Sequence, residues 1–188
     1  MEATDILSSE HRVIERVIAA LEAGAVQIDE GGEVRPEFFI EAAAFIAGFA
    51  DGCHHRKEEG VLFTTMEQYG VPNQGGPIGV MLLEHEQGRR YTRGLRAAAE
   101  RLQQGDAGAR KELVQNALGY AQLLRQHIYK EDHILFPLAG QVIPTDQHIT
   151  VLEGFERVEH AETGEGVHEK YLALAESLEQ EAAPWRQA

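Results

Sequence analysis

Histidines and carboxylates recur in this chain at paired spacings, and the pairing gives them a chemical meaning that none has alone. Glu10-His11-Arg12 leads, 43 residues on from His11, to His54 in the segment HHRKEEGVLF over 54–63. Glu84-His85-Glu86 leads, 42 residues on from His85, to His127 in HIYKEDHILF over 127–136. Overlaying the halves pairs His54 with His127, Lys57 with Lys130, Glu58 with Glu131, and Leu62-Phe63 with Leu135-Phe136. His54 and Glu58, like His127 and Glu131, stand at i and i+4, so on a helix each pair projects from one face. A neutral imidazole and a carboxylate on consecutive turns chelate one cation, while the second carboxylate oxygen reaches another. Two such pairs with His11 and His85 supply imidazole nitrogens and two bridging carboxylates. No cysteine set accompanies them, which disfavours a structural zinc site, and imidazole with carboxylate suits Fe, Mn or Zn.

Each fragment has a plainer reading. A lone helical histidine is ordinarily a surface or packed residue, His-x-x-x-Glu an ordinary helix-face hydrogen bond, and RKEE a solvated face. Joint occurrence decides for metal: two copies, similar spacing, each followed by Leu-Phe and each preceded by a separate Glu-His. Outside the repeat, Cys53 reads as packing, with redox sensing as its alternative. Tyr69, Tyr91, Tyr120 and Tyr129 read as core residues that are also available as hydrogen-bond donors to a bound ligand. His133, His148, His160 and His168 read as surface residues, with His160 or His168 the candidates for a further metal.

The elements that must position these residues are all helical. Ile6, Val13, Ile14, Val17, Ile18 and Leu21 form an apolar stripe on a first helix over 5–27, with Thr4 as its cap. Gly31 and Gly32 end it, and Pro36 opens a second helix reaching about residue 69, with Gly48, Gly52 and Gly60 as points of bending. The segment 70–76 is a loop, Pro77 opens a third helix to about 104, and a turn at 105–108 leads to a fourth over 109–142, where Pro137 marks a kink or stop. Four long helices with short connections predict an all-α, up-down four-helix bundle. Two shorter helices, separated near Gly164 and Gly166, form a C-terminal hairpin. The predicted division is a bundle over 1–143 and an extension over 144–188 packed on it.

Composition narrows the function. The chain is 43% hydrophobic and carries 17 Lys and Arg against 31 Asp and Glu, a formal charge of -14. Phosphate recognition needs a basic stripe, so nucleic acid and anionic membrane surfaces are not expected partners. Cys53 is the sole cysteine, which excludes an intramolecular disulfide framework. The segment MEATDILSSEHR lacks the apolar stretch of a signal peptide, and no run of about 18 apolar residues exists to span a bilayer. A cytoplasmic location is expected.

In combination these motifs resemble the hemerythrin family, specifically its bacterial HHE cation-binding branch, over about residues 5–140. The resemblance implies a helical bundle around a non-haem di-iron centre with two Fe ions, Mn or Zn being compatible with the same ligands. Carried over by position, it implies His11 from the first helix, His54 with Glu58 from the second, His85 from the third, and His127 with Glu131 from the fourth as metal ligands. Oxygen-carrying members have a further histidine four residues along the third helix. Here Arg89 stands there, which argues against simple reversible oxygen carriage. In the related iron-sensing domain of a ubiquitin-ligase subunit the residue after the second-helix histidine also binds metal, and His55 occupies that place. A shifted register, His55 with Glu59 and His127 with Asp132, copies the carriers' spacing, whereas the internal repeat favours Glu58 and Glu131. Glu10, Glu84, Glu59 and Asp132 are candidates to orient the imidazoles by accepting their other N–H. The expected function is a His/Glu-ligated two-metal protein that binds or senses O2, NO or iron, with a small diatomic molecule or peroxide as its ligand. The alternatives are a di-iron oxidoreductase consuming peroxide or NO, and iron storage.

Overall fold

The computed structural model describes residues 3–164 and 166–186, less the side chains of 161–163; the outermost positions of the two predicted segments, 1–2 and 187–188, lie outside them. All regular elements among the described residues are helical. Helix α1 is Ala3–Asp29. It starts earlier than the sequence predicts, because Thr4 is buried within the first turn instead of capping it. Helix α2 runs over 36–68, with Pro36 in its first turn, where a missing N–H costs nothing. Helix α3 is Pro77–Gln103 and α4 runs over 109–142. Helix α5, over 148–163, and α6, Val167–Ala182, follow. Gly164 and Gly166 between these two have φ of 103° and 75°, values that a side chain disfavours.

Three of these rods are not uniform; α5 is α-helical over His148–Arg157 and π over Val158–Thr163. Helix α2 is α-helical over Pro36–Phe45, widens to π geometry over Ile46–His55 and again over Glu58–Leu62, and ends α-helical over Phe63–Gln68. Helix α4 is α-helical over Ala109–Lys130, π over Glu131–Leu135 and α-helical over Phe136–Val142. The predicted bends at Gly48, Gly52 and Gly60 all fall in π segments. Pro137 sits in the first turn of the last segment, and the helix continues through it to Val142. The wide turn before it leaves room for the proline ring. The repeat extends to the backbone: the Phe63 N–H donates to the Glu58 carbonyl, and the Phe136 N–H to the Glu131 carbonyl. Since Glu131–Leu135 has no glycine, the widening is not a glycine effect.

Apolar side chains collect in two clusters. The larger joins Ile14 to Ile28 of α1, Phe38 to Ala50 of α2, Leu95 to Ala99 of α3, Leu113 to Ile128 of α4, and Ala175, Leu178 and Ala182 of α6. The smaller joins Leu7, Leu62, Phe63, Met66, Ile78, Met81, Leu135 and Phe136 with Val151 and Phe155 of α5. Helices α1 and α3 therefore pass from the smaller cluster to the larger, and α2 and α4 pass the other way. The C-terminal helices each dock on a different cluster. Between the clusters, on all four long helices, lies a layer of buried polar residues. No helix among the described residues is long and apolar enough to cross a membrane.

Gly24 marks the close approach of α1 to α2: a Cβ there would lie 2.7 Å from Phe38 Cε1 and 3.4 Å from Phe39 Cζ. Both rings are fully buried. Gly24→Ala is therefore expected to destabilise the protein by about 1–2 kcal/mol, because overpacking outweighs the helix-propensity gain of at most ~1 kcal/mol. The midpoint of urea unfolding checks this; a raised midpoint would mean the rings yield freely.

Candidate metal centre

His11, His54, His55, Glu58, His85, His127 and Glu131, the residues singled out in the sequence, all lie in the buried layer between the clusters. His11 comes from α1, His85 from the first half of α3, and the rest from the widened parts of α2 and α4 and the turns beside them. The two carboxylates occupy the centre. Glu58 Oε1 is 3.4 Å from His54 Nε2 and Glu58 Oε2 is 3.5 Å from His85 Nε2. Glu131 Oε2 is 3.2 Å from His11 Nε2, while Glu131 Oε1 is 3.2 Å from His127 Nε2 and 3.9 Å from His85 Nε2. Each carboxylate thus faces different imidazoles with its two oxygens. Ligand atoms of His55, Glu58, His85 and His127 lie within 4.8 Å of one another, and so do those of His11, His54, Glu58 and Glu131.

The outer nitrogens are all engaged. His54 Nδ1 is 2.9 Å from Glu10, His127 Nδ1 is 2.9 Å from Glu84, His85 Nδ1 is 2.7 Å from Glu59, and His11 Nδ1 is 2.8 Å from Asp132. With Nδ1 engaged outward, each of these rings turns Nε2 inward, where a neutral imidazole would offer its lone pair; His85 Nε2 and His127 Nε2 lie 3.0 Å apart there. These are the four carboxylates that the sequence offered for orientation. Glu59 and Asp132 consequently lie on the far side of the imidazoles from Glu58 and Glu131, so the geometry follows the register of the repeat. The phenyl rings of the two Leu-Phe pairs repeat too: Phe136 stacks on His11 at 5.4 Å and Phe63 on His85 at 6.1 Å.

Among the seven candidate ligands the symmetry fails at one position. His55 overlays on Ile128, and its ring stacks on His85 at 3.8 Å. His55 Nδ1 is 3.4 Å from Asp51, one turn earlier. Arg89 binds Asp51 at 2.7 Å, Glu59 at 2.8 Å and Glu86 at 3.0 Å, and so holds the outer carboxylates instead of facing the centre. Asp51 was not singled out in the sequence, although its place four residues before His55 is a usable signal.

Charge in the layer is strongly coupled. Burial alone would keep His54 and His127 neutral, but Glu58 and Glu10 hold the first, and Glu131 and Glu84 the second, at a pKa of about 10. Burial would raise Glu131, yet His127, His11 and His85 keep its carboxyl well below the usual range. His55 goes the other way: burial, with His85 beside it, pushes it well down, so it is neutral.

The remaining candidates are placed differently. Tyr69 and Tyr129 are exposed, Tyr91 packs on the larger cluster, and Tyr120 is buried. His133 donates to the Tyr129 carbonyl at the surface, and His160 is exposed. His168 lies with Glu10, Cys53 and Glu159 in a further group of ligand-type atoms, but the Lys57 ammonium already bridges Glu10 and Glu159 there. Glu159 belongs to the C-terminal extension, and nothing in the sequence signals its reach into this layer.

The geometry has counterparts among known proteins. The family model described as the hemerythrin HHE cation binding domain matches residues 2–139, and the chain belongs to that family. Relatives include uncharacterized proteins of Mycobacterium bovis and of two Mycobacterium tuberculosis strains, each 27% identical over 163 residues, or 87% of this chain. The aligned part covers 63% of those relatives' length. No solved structure matches the chain.

Lys57 and Lys130 are equivalent in the repeat, each bound to the carboxylate that orients a histidine. Lys57 is fully buried, whereas the Lys130 side chain is 31% exposed. Lys57→Met is expected to destabilise the metal-free protein by about 3 kcal/mol, as a buried pair loses one partner. Lys130→Met should cost at most about 1 kcal/mol. Chemical denaturation of both variants checks this, and equal losses would contradict the asymmetry.

Proposed function

We propose that this member of the hemerythrin HHE cation-binding family holds two iron ions between Glu58 and Glu131, and that the centre binds or senses O2 or NO. One observation carries the reading. His11 Nε2 and all four carboxylate oxygens of Glu58 and Glu131 are buried without a hydrogen-bond partner. Buried polar atoms are rarely left so, and five of them facing one space fit a cation's ligands better than a packed core. The donor set, imidazole and carboxylate with no thiolate among the seven residues, suits iron and admits Mn or Zn.

On this reading His11 and His54 serve one cation, and His55, His85 and His127 the other, with Glu58 and Glu131 shared. The four long helices, alternating in direction between the two apolar clusters, are read as the up-down bundle of the family, in a cytoplasmic protein. Bound iron supplies open coordination positions and a change of oxidation state. The chain supplies the rest: Glu10, Glu84, Glu59 and Asp132 fix the imidazole tautomers, Phe63 and Phe136 cover two of the rings, and the apolar clusters keep water from both ends. Arg89, committed to three carboxylates, gives no ligand where oxygen carriers have a histidine, which favours sensing or turnover over carriage.

Anaerobic reconstitution followed by elemental analysis and absorption spectroscopy tests the proposal. About two irons per chain, with near-ultraviolet bands that change on adding O2 or NO to the reduced protein, is the expected result. Steady consumption of peroxide or NO would move the reading to an oxidoreductase, metal bound without ligand response would move it to storage, and protein refusing all three metals would sink it. Glu84→Gln, which keeps the shape but loses the anionic acceptor of His127, is expected to weaken metal binding about 10–100-fold in chelator competition.

Protons report the same event. With a pKa of about 10, His54 and His127 are protonated in metal-free protein at neutral pH, and a ligand imidazole must be neutral. Metal uptake at pH 7 is therefore expected to release protons into a weakly buffered indicator solution. Without metal, a histidine raised from 6.5 to about 10 contributes stability that is complete below pH 6.5 and is lost as pH rises through 10. Thermal scans should show the metal-free protein weakening across that window.

A further inference from the structure

Where the C-terminal extension meets α2, four side chains of metal-ligand type converge outside the His/Glu centre. One ligand atom from each of Glu10, Cys53, Glu159 and His168 lies within 4.8 Å of the others. Cys53 is buried on α2, Glu159 lies late in α5, and His168 stands in the first turn of α6, so the group joins both helices of the extension to the bundle. Glu10 is fully engaged, with one oxygen on the Lys57 ammonium and the other on His54 Nδ1. Glu159 is not. Its Oε2 accepts from Lys57 at 2.9 Å, while its Oε1 faces His168 Nδ1 from 3.7 Å. That separation is too long for a hydrogen bond. It is close to the edge of a zinc tetrahedron, whose bonds of about 2.0–2.2 Å place two ligand atoms about 3.3–3.6 Å apart. His168 Nδ1 is itself buried and has no hydrogen-bond partner among the described residues. Its ring rests on Phe49 with centroids 5.2 Å apart, and Phe49 stands four residues before Cys53 in α2. In the other half of the repeat the place of Cys53 is taken by Gln126, which is exposed.

We infer that Cys53 Sγ, His168 Nδ1 and Glu159 Oε1 form a mononuclear zinc site, completed by water, that fastens the extension to the bundle. Thiolate, imidazole and carboxylate are all zinc donors, and the softer thiolate sets this group apart from the seven residues of the centre. Charge agrees with the assignment. The Cys53 thiolate and the Glu159 carboxylate together neutralise a divalent ion, while Lys57 keeps Glu10 as its counter-ion. The thiol proton leaves to solvent as the ion binds. The site does not depend on the two-metal reading above, since it shares no ligand with that centre.

Cobalt(II) is a suitable probe, titrated anaerobically into the reduced, metal-free chain. Cobalt bound to a thiolate gives a near-ultraviolet sulfur-to-metal charge-transfer band, which cobalt held only by the nitrogens and oxygens of the centre cannot give. The band is expected to saturate at one thiolate-bound cobalt per chain and to be bleached by zinc, which binds such ligands more tightly. Cys53→Ser should abolish it. His168→Gln provides a second arm at a side chain that is 25% exposed, so the variant should fold as the wild type does. It is expected to weaken cobalt binding here by more than the roughly 10–100-fold that loss of an orienting partner costs. Zinc should also slow proteolysis within the extension of the wild type and not of His168→Gln. A wild-type titration without the sulfur-to-metal band, or a band that His168→Gln leaves at wild-type strength and affinity, overturns the site. Visible cobalt bands without the sulfur band would overturn this site alone and leave the two-metal reading standing.

Discussion

Everything in this protein is arranged around the cost of burying two carboxylates whose oxygens complete no hydrogen bond with the protein. Glu58 and Glu131 are fully buried in the interior of a helical protein, where an uncompensated charge is among the most unfavourable things a chain can carry. The surrounding imidazoles stand 3.2–3.9 Å away without completing hydrogen bonds. In metal-free protein their partial protonation offsets the charge, which is why His54 and His127 titrate so high. A pair of cations would offset it better and release those protons. The outer carboxylates, the buried Lys57 and the ion pairs of Arg89 form a second ring, so that no imidazole N–H is left unsatisfied by the inward turn of its partner nitrogen.

The two apolar clusters set the dielectric in which this happens. Leu7, Met66, Met81 and Leu135 close one end of the polar layer, and Ile14, Phe49, Leu124 and Ile128 close the other. A charge held between them is poorly screened, which strengthens each contact that is made and penalises each that is missing. The π turns belong to the same arrangement. One extra residue per turn at Glu58 and again at Glu131 lets neighbouring residues serve both rings: Glu58 and Glu131 face inward while Glu59 and Asp132 reach the outer nitrogens of His85 and His11. Such widened turns are uncommon and concentrate at functional sites, and here they occur at equivalent places in both halves.

The halves are nevertheless unequal, and several of the differences fall in the environment of the centre. One half has His55 and Asp51 where the other has Ile128 and Leu124. One has a lysine sealed beneath the C-terminal extension by Glu159, and the other has its counterpart half in solvent. A duplicated frame with unequal decoration would give any two cations held there different ligands and different access, which a symmetric pair would lack.

Much of this was legible in the sequence, because helical periodicity and the spacing of His, Glu and Phe are local properties that survive without coordinates. The helices, the Pro36 and Pro77 starts and six of the seven clustered residues follow from residue type and from the repeat, whereas His55, which overlays on Ile128, came only through the family resemblance. Thr4 was misread because a cap depends on the conformation of the residues before it, and the chain is already helical there. The register at Glu58 against Glu59 stayed open in the sequence, since adjacent carboxylates on a helix differ only in direction, and direction depends on backbone winding and on which neighbour waits on each side. The reach of Glu159 to Lys57 and the hold of Arg89 on Asp51 join residues 102 and 38 positions apart. The sequence by itself determined which donors are present and on which helices; only the tertiary structure decided which way each donor points and what it meets, because that is fixed by packing between helices.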